Sequence, residues 1–309
     1  MVDCNGQGML FVEVSADVKL QQLGHPIVPP FPFLDEVLYN VPGSDAIGNS
    51  FRMWRFHCRC TLTHNVWDGC GVIQFLNAVA WHKLKQLYES DIVQCSFTFT
   101  PNQINSIRKH LPQHLATTCT QFDLLTACLW KCRTLALNLD PQEVVQVLCI
   151  FSGQARKQGL NLPRGYYGNV IASPSVVSEA GVLSKKPFAY AVELLKKATS
   201  MASGEYIRSV ADLLVTKKRI LKLKGNFMVS DTTTLKFEEL DFGWGYPEFV
   251  GVAISFPFFS FYVKYKNNGE DLIVVQISLP RVAIDKFQQE LKKMIDDNHG
   301  RQIWIQSML

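Results

Sequence analysis

Asp241-Phe242-Gly243-Trp244-Gly245 is the stretch on which the reading of this chain turns, because of what flanks it. Before it, Phe227 to Ser230 reads as a strand. After it come three more strand runs, Phe249 to Ser255, Phe261 to Tyr265 and Leu272 to Ser278. Pro280 then starts a helix whose Ile284, Phe287, Leu291 and Met294 share one face, with Asp, Glu and Lys opposite. The two glycines around Trp244 imply a tight backbone path with a large aromatic as its anchor. A kinase reading of Asp-Phe-Gly fails: the chain has no glycine-rich phosphate loop, no V-A-I-K lysine and no H-R-D segment.

Upstream, helices and strands intermingle. Val144 to Phe151 is a near-continuous apolar run, the mark of a buried strand. Helical spacing predicts helices over 121–137, through Phe188, Val192 and Leu195, and through Ile207, Val210 and Leu214. Val93 to Thr100 reads as a strand, and Pro101 opens a short helix. Residues 71–88 recur at helical spacing, and Gly6-Gln7-Gly8 leads into a strand run from Met9 to Val14. Pro26, Pro29, Pro30 and Pro32 mark an irregular segment. Residues 51–63 are β-compatible, but the interleaved Arg52, Arg55 and Arg59 make a poor buried strand. The class is therefore α/β, with no internal repeat, low-complexity tract or coiled-coil heptad.

A chain of 309 residues with 47% apolar content can bury a large core, and its length suggests about two domains. The net charge of +4 is modest and demands no nucleic acid. Lys217, Lys218, Arg219, Lys222 and Lys224 cluster after an apolar run; a solvated surface and a docking site for an anionic cofactor tail both fit. Nine cysteines form an odd set without a CxxC. The N-terminus has neither a basic nor an apolar leader region, so a reduced, cytoplasmic setting is expected. The longest apolar stretch, Phe249 to Val263, is broken by Gly251, Ser255, Pro257 and Ser260, which argues against a membrane span.

His64-Asn65-Val66-Trp67-Asp68-Gly69 supplies the chemistry. A histidine and an aspartate four apart are common by chance in a chain with seven histidines. The setting raises their interest, because His64 follows a strand-like segment and precedes Gly69, Gly71 and a helix, where loop residues become catalytic. Such a histidine can take the proton of an alcohol as its oxygen attacks a thioester, then protonate the departing thiolate. Asp68 suits a structural role rather than a triad. Metal binding is the competing reading, since His57, Cys58, Cys60, His64 and Cys70 crowd into fourteen residues. Their spacing fits no standard zinc finger, so no metal is expected. Cys128 and Cys132, one helical turn apart, read as buried small residues.

Taken together, the His64–Asp68 pair and the pentapeptide resemble the signature motifs of the plant BAHD acyl-CoA-dependent acyltransferases. The likeness extends to Val2–Gly8 with Phe11-Val12-Glu13, to Phe122–Arg133, to Leu162–Asn169 and to Val229-Ser230-Asp231, which leads into the pentapeptide. Within the family it is most similar to alcohol acyltransferases of the benzyl-alcohol benzoyltransferase and fruit-ester type, in plant secondary metabolism. The resemblance implies two chloramphenicol-acetyltransferase-like domains with mixed sheets and a channel between them. Residues 1–90 would be a partial first domain carrying HxxxD, and 91–309 a second domain carrying DFGWG.

Carried over by position, His64 would be the general base and Asp68 its structural support. Thr233 would donate a hydrogen bond to the tetrahedral oxyanion. Asp241, Phe242, Gly243, Trp244 and Gly245 would shape the channel on the coenzyme A side. The implied partners are an acyl-CoA, as co-substrate rather than permanent cofactor, and a small alcohol. The implied enzyme is a monomer.

The chain also departs from the family pattern. Against that pattern, an N-terminal strand and helix, an apolar strand between Ile47 and Phe51, and most of the linker after Tyr88 are expected to be missing. Trp67 stands where a small residue is usual. Gln154 stands where an arginine pairs with the pentapeptide aspartate, and Arg156 is a candidate substitute. A catalytically impaired remnant that binds only coenzyme A or a protein partner is the alternative to an active enzyme.

Overall fold

The computed structural model describes residues 13–14, 49–53, 56–60, 92–152, 160, 162, 170–216, 226–239, 241, 245–247, 249–252, 258–267, 269–295 and 305–307. In chain order the elements are β1 (Glu13–Val14), β2 (Asn49–Met53), β3 (Phe56–Cys60), β4 (Ile92–Phe99), α1 (Pro101–Lys109), α2 (Gln113–Ala116) and α3 (Gln121–Leu137). There follow β5 (Val144–Ser152), β6 (Ile171–Ala172), β7 (Ser175–Glu179), α4 (Ala180–Lys185), α5 (Phe188–Ser200) and α6 (Gly204–Thr216). The last are β8 (Asn226–Asp231), β9 (Phe259–Asn267), β10 (Glu270–Pro280), α7 (Arg281–Ile295) and β11 (Ile305–Ser307). The α/β class expected from sequence holds.

The described residues form two sheets. A small one runs β1-β3-β2, with β2 and β3 antiparallel from Asn49↔Cys60 to Met53↔Phe56. The large one runs β11-β4-β10-β9-β8-β5-β6, with β7 also pairing β5. It is mixed: β5–β8 and β8–β9 are parallel, while β9–β10, β10–β4 and β4–β11 are antiparallel. Parallel neighbours need a long crossover, and α5 and α6 lie in the one between β5 and β8.

Strand alternation gives the large sheet two unlike faces. Phe97 and Cys95 on β4, Val275 and Ile277 on β10, Phe227 and Val229 on β8, and Val147 and Cys149 on β5 all join one core. Helix α3 crosses this face and is buried almost all round, with Leu124, Leu125, Leu129 and Trp130 at or near zero exposure. Its start is set by a capping box, Thr120 with Asp123, and its end by Asn138 in the left-handed region. Thr100 and Gln103 cap α1 in the same way, with Pro101 in its first turn. Lys131 of α3 donates to the carbonyls of Leu183, Ser184 and Lys186 at 2.6, 2.9 and 2.8 Å, which ties α3 to the end of α4. On α7, Ile284, Phe287 and Leu291 face the core as their spacing predicts.

The second face carries Leu148, Ile150, Met228, Phe259 and Phe261 as a smaller apolar cluster. Phe259 and Phe261 stack with centroids 4.4 Å apart.

One strand expectation is overturned in its described part. Phe249 to Val252 form no strand beyond an isolated bridge at Val250. The run is apolar because it is a buried loop. Phe249 and Val250 are buried, and Phe249 packs on Tyr265 with centroids 6.2 Å apart. A Cβ at Gly251 would stand 2.8 Å from that phenylalanine ring, so the close approach requires glycine. The helix expected over 71–88, the proline-rich segment and the basic cluster from Lys217 to Lys224 lie outside the described residues. No helix among the described residues is long and apolar enough to cross a membrane.

Candidate functional site

The part of the site that the described residues build lies at the end of β8. Strand β8 pairs in parallel with β9, so its last residue, Asp231, stands opposite Tyr262. The chain then turns. Thr232 donates both its N–H (2.9 Å) and its Oγ1–H (2.7 Å) to the Tyr262 carbonyl, which prolongs the strand contact by one residue. Thr233 is held differently. Its N–H and its Oγ1–H both donate to Asp231 Oδ1, at 2.9 and 2.6 Å, an Asx turn closed a second time through the hydroxyl. Leu235 N–H closes the turn onto the Thr232 carbonyl at 3.1 Å.

Tyr262 links this turn to the core. Its phenol lies 3.0 Å from Thr126 Oγ1 of α3, and full burial pushes its ionisation well above the usual tyrosine range. The turn thus hangs from the backbone of a residue whose side chain is anchored in the helix face. Below it, Phe237–Glu239 forms a short 3-10 turn. Lys264 of β9 reaches Glu238 at 3.3 Å and Asp271 at 3.6 Å, across the outside of the turn. These side chains are well exposed, so they guide more than they stabilise.

Of the pentapeptide, Asp241 and Gly245 are described. Asp241 Oδ1 accepts the Gly245 N–H at 3.0 Å, a turn that brings the two ends of the motif together. Gly245 has φ +98, a backbone conformation that other residues adopt at a cost, and its Cβ position meets nothing. Both residues are exposed. Phe242, Gly243 and Trp244 lie outside the described residues, as do His64, Asp68, Trp67, Gln154 and Arg156. The described residues therefore form two separate pairs, Thr233 with Asp231 and Gly245 with Asp241, and the proposed base lies outside them.

Two residues without a role in the sequence reading matter here. Asp231 is one; an aspartate two positions before a threonine is the signal that marks it. Gln276 is the other. It is fully buried on the second face of the sheet, and its Nε2 donates to the Val252 carbonyl at 2.6 Å. It fixes the loop that follows the pentapeptide to the sheet centre. On β4, two residues along from Ser96, which pairs with Gln276, Thr98 is 4% exposed. Thr98 Oγ1 and Gln276 Oε1 both lack a hydrogen-bond partner among the described residues. A polar residue in a β run is the only sequence trace of either.

Cys95 and Cys128 are poor nucleophiles. Burial lifts the Cys95 thiol to about 11, with Arg281 working the other way. A hydrogen bond to Cys132, then burial, pushes Cys128 well above the usual thiol range. No group of three or more His, Cys, Asp or Glu among the described residues is placed to hold a metal ion.

Comparison with known proteins gives three findings. A model described as "Transferase family" matches residues 81–294. Alcohol acyltransferase 16 of Actinidia chinensis var. chinensis is 42% identical over 348 residues, which takes in 96% of this chain and 76% of the relative. Among solved structures, vinorine synthase superposes with a TM-score of 0.59 at 16% identity, over 85% of this chain and 71% of its own. F. graminearum TRI101, complexed with ethyl coenzyme A, gives 0.53 at 17% identity. That superposition covers 64% of this chain and 47% of the other. At such identities the structural likeness speaks for the fold.

Proposed function

The chain belongs to the Transferase family, the BAHD acyltransferases, and from that premise we propose that it moves an acyl group from an acyl-CoA thioester to the hydroxyl of a small alcohol. The observation that carries this is the 42% identity to an alcohol acyltransferase over 96% of the chain. The reaction needs no acyl-enzyme. His64 takes the alcohol proton as the oxygen attacks the thioester carbonyl, and returns it to the coenzyme A sulfur as the tetrahedral intermediate collapses. Asp68 holds the loop that carries the base. We divide the chain into a first domain over 1–90, carrying the base, and a second over 91–309, carrying Thr233 and the Asp241–Gly245 motif. The enzyme acts as a monomer in the cytoplasm, with acyl-CoA as co-substrate and neither metal nor resident cofactor.

Thr233 is the third member, as a donor to the oxyanion. Its proton rests on Asp231, so donation requires the hydroxyl to leave a carboxylate. Giving up a hydrogen bond to a charged group costs about 1.5–3 kcal/mol. A donor aimed at an oxyanion is worth about 2.7–4 kcal/mol. The donor wins, by a margin of about 1 kcal/mol on these figures.

The test is coenzyme A release and ester formation from acetyl-CoA and benzoyl-CoA with a panel of small alcohols. His64→Ala should lower kcat by about 10²–10⁴-fold. An unchanged rate in that variant removes His64 as the base. A second reading is favoured by one observation: the alignment with the Actinidia relative runs over 348 residues, more than the 309 of this chain, so the relative carries segments without a counterpart here. On that reading the protein binds coenzyme A or a protein partner without turnover. Ester formation that depends on His64 sinks it.

A further inference from the structure

We propose that Asp231 is a positioning residue that acts through Thr233, keeping its hydroxyl away from the ground-state thioester and releasing it to the transition state. The inference rests on the acyl-transfer reading above. Asp231 Oδ1 accepts two hydrogen bonds, from the Thr233 N–H at 2.9 Å and from Thr233 Oγ1–H at 2.6 Å. The two differ in what they restrain. The amide bond belongs to the backbone of the turn. The hydroxyl proton can leave by rotation about its own C–O bond, with Oγ1 staying where it is.

The turn does not depend on that proton. Thr232 fastens it to the Tyr262 carbonyl through both N–H and Oγ1–H, and Leu235 N–H closes it onto Thr232. Moving the Thr233 proton therefore asks nothing of the backbone. One partly buried carboxylate oxygen carries both a fixed bond and a switchable one.

Basicity decides which acceptor holds the switchable proton. A thioester carbonyl is a weak acceptor and loses to a carboxylate held at 2.6 Å. The alkoxide of the tetrahedral intermediate is a stronger base than a carboxylate, and it wins. An interaction made only when charge develops lowers the barrier without deepening substrate binding. A threonine with no carboxylate beside it would bind the thioester oxygen from the start, and that part of the contact would appear in KM.

The experiment is a four-protein cycle on the full chain: wild type, Asp231→Asn, Thr233→Val and the double variant, assayed for coenzyme A release. Asparagine keeps the acceptor for the amide but is a weaker partner for the hydroxyl. Asp231→Asn should lower KM for acyl-CoA by about three- to tenfold without lowering kcat, so that kcat/KM rises, because the transition state no longer takes the proton from a carboxylate. Thr233→Val should lower kcat by about tenfold with KM held, and Thr233→Ser should restore it. In the Thr233→Val background, Asp231→Asn should add nothing. Equal effects of Asp231→Asn with and without the hydroxyl overturn the proposal. So does a fall in kcat/KM that tracks a fall in Tm, which marks a merely structural aspartate. A wild-type protein that releases no coenzyme A refutes the acyl-transfer reading, and this inference falls with it. A failed cycle in an active enzyme removes this inference alone.

Discussion

Helix α3 and the segment from Asp231 to Val252 both meet Tyr262, yet they are held by opposite means. The helix touches the phenol through Thr126, is tied to α4 through Lys131, and is held mainly by burial of Leu124, Leu125, Leu129 and Trp130. The segment takes the Tyr262 backbone carbonyl and, apart from the buried Phe249 and Val250, its described residues are held by hydrogen bonds: Thr233 to Asp231, Gly245 to Asp241, Gln276 to Val252. Its Leu235 and Tyr246 are exposed. Burial supplies stability in bulk and tolerates small errors of angle. Hydrogen bonds supply little net stability but set direction. The same residue thus joins a stabilising region to a region whose content is geometry.

The comparison is broken most directly at Leu129, which has 0% exposure at the centre of the helix face. Leu129→Ala removes buried volume from a close-packed site and should cost about 2–5 kcal/mol of unfolding free energy. Urea denaturation followed by circular dichroism reads it. A cost below about 1 kcal/mol would mean that the helix face is not the main source of stability.

A smaller effect on the same face follows from Cys95. Burial raises its thiol to about 11 from an ordinary value of 9.0. Above the unfolded value, the unfolded state gives up its proton while the folded state keeps it. The unfolded chain then binds fewer protons, and stability falls as pH rises. This contribution is intact below about 9 and is lost progressively toward 11. Cys95→Ala should flatten the alkaline limb of stability against pH. An alkaline limb identical to wild type would assign the loss to other groups.

How legible each region was follows from the same division. The α3 boundaries expected over 121–137 are those observed, because burial writes itself into apolar spacing and the caps Thr120 and Asn138 are local. The strands around it were legible for the same reason, β5 through its near-continuous apolar run. The segment was not. An apolar run from Phe249 was expected as a strand and is a packed loop, since periodicity cannot separate a strand from a loop that buries its side chains. Strand β7 was missed because Ser175, Ser178 and Glu179 dilute its valines. The pentapeptide was legible only as a resemblance, and the short-range Asx pairing of Asp231 left no apolar trace. Direction-setting contacts depend on one atom each, and composition does not record them.

Within the segment, Gly245 should matter more to stability than Gln276. Its φ of +98 is a conformation in which a side chain is strained, and its Cβ position is open. Gly245→Ala therefore carries a backbone cost alone, about 1–2 kcal/mol, with no clash added. Thermal melting should show a modest decrease. A variant as stable as wild type would mean that the exposed turn rearranges freely, with its bond to Asp241 holding nothing in place.

Gln276→Leu sharpens the comparison furthest, because two terms of similar size oppose each other. The change deprives the Val252 carbonyl of its donor at 2.6 Å, and a carbonyl left without a partner costs about 1–3 kcal/mol. It also removes Gln276 Oε1, which has no partner among the described residues, and relieves a desolvation cost of the same order. Leucine is of similar size and sits beside the apolar cluster of Phe259 and Phe261. The net change in unfolding free energy should stay within about 1 kcal/mol. Local order should not be spared. The 249–252 loop loses its tie to the sheet, so amide hydrogen exchange there should quicken while exchange in α3 stays as it was. Equal quickening in both would show that the loop and the helix open together. The distinction between a stabilising region and a direction-setting one would then be false.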